Sequence, residues 1–154
     1  MLGRKRSISR GFTLVELAVV VVIIGVLAAF GVPRFLQSVE RSKASEAFAY
    51  LSAVRTAQER YHAREGTYAD VITQLDIQVP VPAYFSVGTI APGTTGTDPT
   101  LENSWTLTLT RHGASAGYGA YTVTYTDQGY DTGSDIPVAI SPFAQPTGTP
   151  PVTP

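Results

Sequence analysis

Phe12-Thr-Leu-Val-Glu16-Leu-Ala-Val-Val-Val-Val-Ile-Ile-Gly25-Val-Leu-Ala-Ala-Phe30-Gly-Val-Pro33 is the stretch that decides the fold. From Leu17 to Val32 it contains no charged or polar side chain. As a helix, Phe12 to Pro33 would rise roughly 30 Å, enough to cross the hydrocarbon core of a bilayer. Ahead of it, residues 1–11 are short and polar and hold Arg4, Lys5, Arg6 and Arg10, with no acid before Glu16. Basic residues before a span keep the N-terminus in the cytoplasm and send the rest of the chain outside.

Three readings fit such a segment. A secretory signal peptide needs a basic start, an apolar run and a small-residue cleavage site. Ala29-Phe30-Gly31 matches that site poorly, the apolar run is long, and an amphipathic helix continues without a break. A plain signal anchor explains length and orientation but leaves Glu16 unexplained. A carboxylate towards the middle of a span costs about 2.5–3.5 kcal/mol on insertion scales, and less near the interface.

The third reading gives Glu16 a role. The string Gly11-Phe12-Thr13-Leu14-Val15-Glu16 resembles the cleavage and methylation site of type IV prepilins and type II secretion pseudopilins. The resemblance implies that a prepilin peptidase cuts after Gly11 and that the new N-terminal residue, Phe12, is N-methylated. It also implies that Glu16 sets subunit register, its carboxylate pairing with the α-amino group that cleavage creates on Phe12 of a neighbouring subunit. The physics is consistent: each charge would be penalised alone in hydrocarbon, and pairing neutralises both. The plainer reading is that Glu16 sits near the cytoplasmic interface and favours the helix N-terminus.

Beyond Pro33 the apolar positions thin to a stripe: Phe35, Val39, Ala44, Ala47, Phe48, Leu51, Val54, Ala57 and Tyr61. Steps of mostly three and four mark one buried helix face. Arg34, Glu40, Arg41, Lys43, Glu46, Arg55, Glu59, Arg60 and Arg64 are read as the solvent face. Gly66 reads as the left-handed stop, so the helix is expected from about Thr13 to Glu65, on the order of 80 Å. Gly25, Gly31 and Pro33 are its weak points, because proline removes a backbone hydrogen bond and kinks a helix. In assembled pili of the resembled family the stretch ahead of the corresponding proline is often unwound, so a helix break is expected at these residues.

The remainder reads as strands and turns. Tyr84–Ile90 is a candidate strand. Trp105, Leu107 and Leu109 alternate with threonines, Arg111 to Gly117 reads as a turn-rich loop, and Tyr118–Thr126 as the returning strand, giving a hairpin over 105–126. Ile136–Ile140 is a candidate edge strand, where Pro137 is tolerated. The expected fold class is α+β: a long N-terminal helix, transmembrane in its first half and amphipathic in its second, packed on a small antiparallel sheet. The fold of the resembled family agrees. The expected organisation is a removable leader (1–11), a transmembrane and polymerisation segment (12–33), an amphipathic segment (34–66), a β-sheet head (67–141) and a flexible Pro/Thr/Gly-rich tail (142–154).

Charge excludes some functions. Without residues 1–11 the chain carries seven basic against twelve acidic residues, a net charge of −5. Beyond Thr67 the one basic residue, Arg111, faces seven acids, a poor surface for nucleic acid. Cysteine is absent; export would permit disulfides, so the fold rests on packing or on a metal. Asp127, Asp131 and Asp135 are the candidate calcium ligands, since glycine-containing oxygen-rich loops suit that ion and some pseudopilins hold one in a C-terminal loop. No calcium-loop spacing is met, and solvated turn residues are the default reading. His62 and His112 nominate neither a zinc site nor a nucleophile–base pair, so no cofactor and no enzyme activity is expected.

The expected function is a structural type IV pilus subunit serving adhesion, motility or DNA uptake. The alternatives are a type II secretion pseudopilin and a signal-anchored or secreted binding domain that never polymerises. The implied partners are the prepilin peptidase, other pilins in a homo- or hetero-polymer, and an inner-membrane assembly platform. The implied location is the inner membrane for the precursor and an extracellular filament for the assembled subunit.

Overall fold

The computed structural model describes residues 11–94 and 99–143. The leader before Gly11 and the tail beyond Phe143 lie outside the described residues. The chain divides into two compact units, one ending at Phe35 and the other beginning at Leu36.

Helix α1 is assigned from Leu14 to Glu65. Up to Phe35 its residues are exposed, Ile23 and Phe30 among them. Gly25, Gly31 and Pro33 lie within it; the break expected at these residues concerns the assembled polymer. The helix ends where glycine permits it: Gly66 has a φ of +75°, and its N–H donates to the His62 carbonyl at 2.9 Å.

In the second unit the apolar stripe is buried at Ala44, Ala47, Phe48, Leu51, Val54 and Ala57. It departs from expectation at both margins. Phe35 is 67% exposed, whereas Tyr50, Gln58 and Glu40 are buried. Glu40 therefore belongs to the core-facing side and not to the solvent face.

Among the described residues five short strands form one antiparallel sheet: β1 (Phe85–Val87), β2 (Ala91–Pro92), β3 (Trp105–Arg111), β4 (Thr122–Thr126) and β5 (Gly129–Tyr130). β3 and β4 make the expected hairpin, with Leu107 opposite Tyr125 and Leu109 opposite Val123. Trp105, Leu107, Leu109, Tyr121, Val123 and Tyr125 join the buried helix face in one core. On the other face Thr108 and Thr124 lie opposite each other, their hydroxyls 2.9 Å apart.

β1 and β2 succeed one another along a single edge of β3. Val87 faces Leu109 and Ala91 faces Thr106, so four steps on one side match three on the other. The register therefore slips by one residue between β1 and β2, and at the end of β1 the Gly88 N–H still donates to the Thr108 carbonyl at 3.0 Å. A Cβ on Gly88 would lie 2.8 Å from that oxygen, so only glycine fits.

Three strand expectations are corrected. Arg111 closes β3 and does not begin a loop. Tyr118 to Tyr121 precede β4, and Gly117 and Gly119 hold φ values of +91° and +63°, outside the extended region of a regular strand. Ile136–Ile140 forms a turn, with the Ile140 and Ser141 N–H groups both donating to the Pro137 carbonyl. The far edge is instead β5, paired with β4.

Candidate functional site

At the head of α1, Thr13 and Glu16 bond each other reciprocally. The Thr13 N–H and hydroxyl both donate to Glu16 Oε2 at 2.8 Å, and the Glu16 N–H donates to Thr13 Oγ1 at 3.2 Å. This is a capping box, Thr-x-x-Glu, which satisfies N–H groups that a helix start leaves open. The Thr-x-x-Glu spacing was the legible signal for it. Glu16 thus serves the helix N-terminus within its own chain, and both of its acceptor bonds fall on Oε2.

Behind the cap, the helix is apolar over its whole circumference. Its most apolar 18-residue window has a mean hydropathy of 2.8, and none of it is buried within the chain. By length and composition the segment is able to cross a membrane. A helix apolar all round is stable only in lipid or inside an assembly. Among the described residues nothing packs on Gly25 or Gly31, since a Cβ on either would meet nothing within 4 Å.

The second unit contains a buried ion pair that residue type alone conceals. Arg111 Nε donates to Glu40 Oε2 at 3.1 Å and Arg111 Nη2 to Oε1 at 2.9 Å. Both side chains are fully buried. The Ser115 N–H and hydroxyl also donate to Oε1, at 2.9 and 2.8 Å. The remaining guanidinium protons go to carbonyls of Tyr84, His112 and Gly113. One helix residue therefore holds the end of β3 and the loop after it. Burial alone would raise the Glu40 carboxyl, but Arg111 and Ser115 outweigh it and hold the group at about 2. Burial, reinforced by the negative Glu40, pushes Tyr121 up to about 12.

Two further contacts close the helix exit. The Gln58 amide donates to the Ala69 carbonyl and accepts from the Ala69 N–H, at 3.0 and 2.9 Å. His62 stacks on Tyr68 with centroids 4.3 Å apart, and its Nε2 lies 3.0 Å from the Glu102 carbonyl. His62 is thus a structural contact.

Gly113-Ala-Ser115-Ala-Gly117 has the Gly-x-Ser-x-Gly spelling of a nucleophile elbow, a match that the reading of the sequence leaves out. An elbow sits between a strand and a helix. This string lies between β3 and β4, and the Ser115 hydroxyl donates to a carboxylate already engaged by arginine. Asp131 Oδ1 accepts from the Gly133 N–H, an Asx turn. Asp127 is mostly buried, and Asp135 is exposed. Among the described residues no group of three or more His, Cys, Asp or Glu is placed to hold a metal, so these aspartates are not gathered into a calcium set.

Two comparisons agree with this anatomy. Residues 6–32 match the family described as the prokaryotic N-terminal methylation motif. Residues 40–140, most of the chain, match the family described as pilin, bacterial filament. The chain belongs to the pilin family. This pilin is 45% identical over 67 residues to the type IV major pilin protein PilA of Myxococcus xanthus, covering 44% of this chain and 30% of that one. It is 38% identical over 63 residues to the fimbrial protein EcpC of Eikenella corrodens, covering 41% of each. It is 47% identical over 49 residues to the type IV narrow pilus major component PilA5 of Thermus thermophilus, covering 32% of this chain and 42% of that one. The chain thus spans less than half the length of these relatives. The pilin family is structural, and the fold is the expected α+β arrangement.

Proposed function

We propose that this pilin is the precursor of a structural subunit of a type IV pilus. A prepilin peptidase cleaves it after Gly11, Phe12 is N-methylated, and the chain polymerises through the apolar half of α1. The observation that carries this reading is that half itself: a span of membrane length, bare on every side, directly behind a methylation motif. In the precursor, lipid covers it; in the filament, the same segments of other subunits do. The Myxococcus and Thermus relatives are pilus subunits by name, which favours a pilus over a secretion pseudopilus.

Glu16 has two successive tasks in this account. In the precursor it caps the helix. After cleavage the Phe12 amine of a neighbouring subunit takes the carboxylate, and Oε1 remains for it while Thr13 holds Oε2. Gly25, Gly31 and Pro33 let the helix unwind between Gly25 and Pro33 as subunits pack, because no described residue packs against those glycines. Basic residues 4, 5, 6 and 10 hold the leader in the cytoplasm, where peptidase and assembly platform meet it, and the head faces outward.

The reading separates into two steps that are tested with two variants. Gly11→Glu blocks processing, so only the full-length precursor accumulates in membranes. Glu16→Val is cleaved to the mature size yet yields few filaments. A mature-sized Gly11→Glu product, or wild-type filament yield from Glu16→Val, contradicts the corresponding step.

A further inference from the structure

Beside the far edge of the sheet, the second half of α1 and strand β5 line a groove of about 560 Å³, a size that suits a small ligand. Its lining is of two kinds. Tyr125, Tyr130 and Phe143 supply rings, while Arg55, Glu59 and Gln128 supply a guanidinium, a carboxylate and a carboxamide. Phe143 stacks one face on Tyr130, with centroids 4.8 Å apart and an interplanar angle of 16°, yet it remains 53% exposed. The stack therefore presents an open ring face. Phe48 braces Phe143 edge-on at 5.3 Å, and Tyr125 braces Tyr130 edge-on at 6.2 Å.

Two of the polar side chains are held from below by one residue. Arg55 Nε donates to the Asp127 carbonyl at 3.1 Å, and Gln128 Nε2 donates to Asp127 Oδ2 at 2.6 Å. Asp127 is itself buried. These bonds fix the planes of the guanidinium and the carboxamide before any ligand arrives, which lowers the cost of ordering them. A guanidinium, a carboxamide and a carboxylate together carry more donors and acceptors than the two bonds consume. A purely apolar ligand would cover those groups without pairing them. A compact ion would meet opposed charges on Arg55 and Glu59. A pyranose meets both halves of the lining: its C–H face settles on the negative face of an aromatic ring, and its hydroxyls both donate and accept. Arg55 and Glu59 balance at the rim, and the Asp127 carboxylate adds negative charge beneath, so a neutral sugar is accepted before an anionic one.

We propose that the groove between α1 and β5 binds a neutral pyranose unit, stacked on Phe143 and hydrogen-bonded by Arg55, Glu59 and Gln128. All of these residues belong to the second unit, so the site does not depend on processing at Gly11 or on polymerisation.

The test is a titration of the full chain, in micelles of a detergent without a sugar headgroup, read by nuclear magnetic resonance. Soluble tetrasaccharides of glucose, galactose and N-acetylglucosamine are the neutral probes, and the tetrasaccharide of galacturonate is the anionic one. The proposal expects at least one neutral probe to shift the Arg55 Nε–H, Gln128 side-chain amide and Tyr130 signals saturably, with the galacturonate binding more weakly. Phe143→Ala is expected to weaken that binding about tenfold, through loss of the stacking ring. Gln128→Ala is the second variant: the side chain is exposed, so its removal leaves the core intact while taking away a hydrogen-bonding group. The near-ultraviolet circular dichroism of buried Trp105 confirms that each variant is folded. Groove signals that no neutral probe moves, tighter binding of the galacturonate, or wild-type affinity in both variants overturns the proposal.

Discussion

Replacing Glu40 by Gln removes one negative charge while keeping shape and an acceptor. It leaves the Arg111 guanidinium fully buried and without its counter-charge. Breaking one side of such a pair costs about 3–5 kcal/mol. The lowered Glu40 carboxyl follows from the same contacts and points to the same scale. The Glu40 carboxyl stands at about 2 instead of 4.5, a difference worth about 3 kcal/mol. Because the folded value is the lower one, this stability is present above pH 4.5 and is lost as pH falls towards 2. The assay is thermal unfolding of the full chain in detergent micelles, monitored by the near-ultraviolet circular dichroism of buried Trp105. At pH 7, Glu40→Gln is expected to lower Tm by roughly 10–20 °C. Between pH 4.5 and 2 the variant is expected to lose less stability than the wild type, since the titrating group is gone. A variant within about 1 kcal/mol of wild type at pH 7, or an equal acid slope, refutes the assignment of this pair as the clamp between helix and sheet. The double replacement Glu40→Leu/Arg111→Met should recover much of the loss, because apolar packing replaces buried ion pairs well.

Other substitutions probe separate joints. Gln58→Leu leaves the Ala69 N–H and carbonyl without their partner, so stability should fall by about 1–3 kcal/mol, and hydrogen exchange at the Ala69 amide should accelerate. Gly88→Ala drives a methyl against the Thr108 carbonyl and should cost about 1–3 kcal/mol in the same unfolding assay. Gly25→Ala meets no neighbour, so the isolated chain should gain up to about 1 kcal/mol of helix stability while filament yield falls. Unchanged yield from that variant removes the proposed unwinding.

The parts of this fold that were legible are those written at short range. The helix with its stop at Gly66 is written in steps of three and four and in one glycine, and the β3–β4 hairpin in the alternation begun at Trp105. What charge type hides is position. Glu40 stands four residues before Ala44 and eight before Phe48, on the buried stripe. Arg111 continues the inward parity of Trp105, Leu107 and Leu109. Read by position alone, both belong inside; read by charge, both belong outside. Their partnership spans 71 residues, and no periodicity carries that. Gln58 is the same case, on the stripe four residues after Val54. Tyr118–Ala120 and Ile136–Ile140 fail for the opposite reason. Their residues suit strands, but positive φ at Gly117 and Gly119, and the turn closed on Pro137, decide the backbone.

The central claim is that the apolar half of α1 becomes the filament's polymerisation segment after cleavage at Gly11. It is tested most directly by mass spectrometry of the N-terminus of this protein in filaments sheared from the cell surface. The account predicts a chain beginning at N-methylated Phe12 in that fraction. A protein absent from sheared filaments, or present there with residues 1–11 still attached, contradicts it.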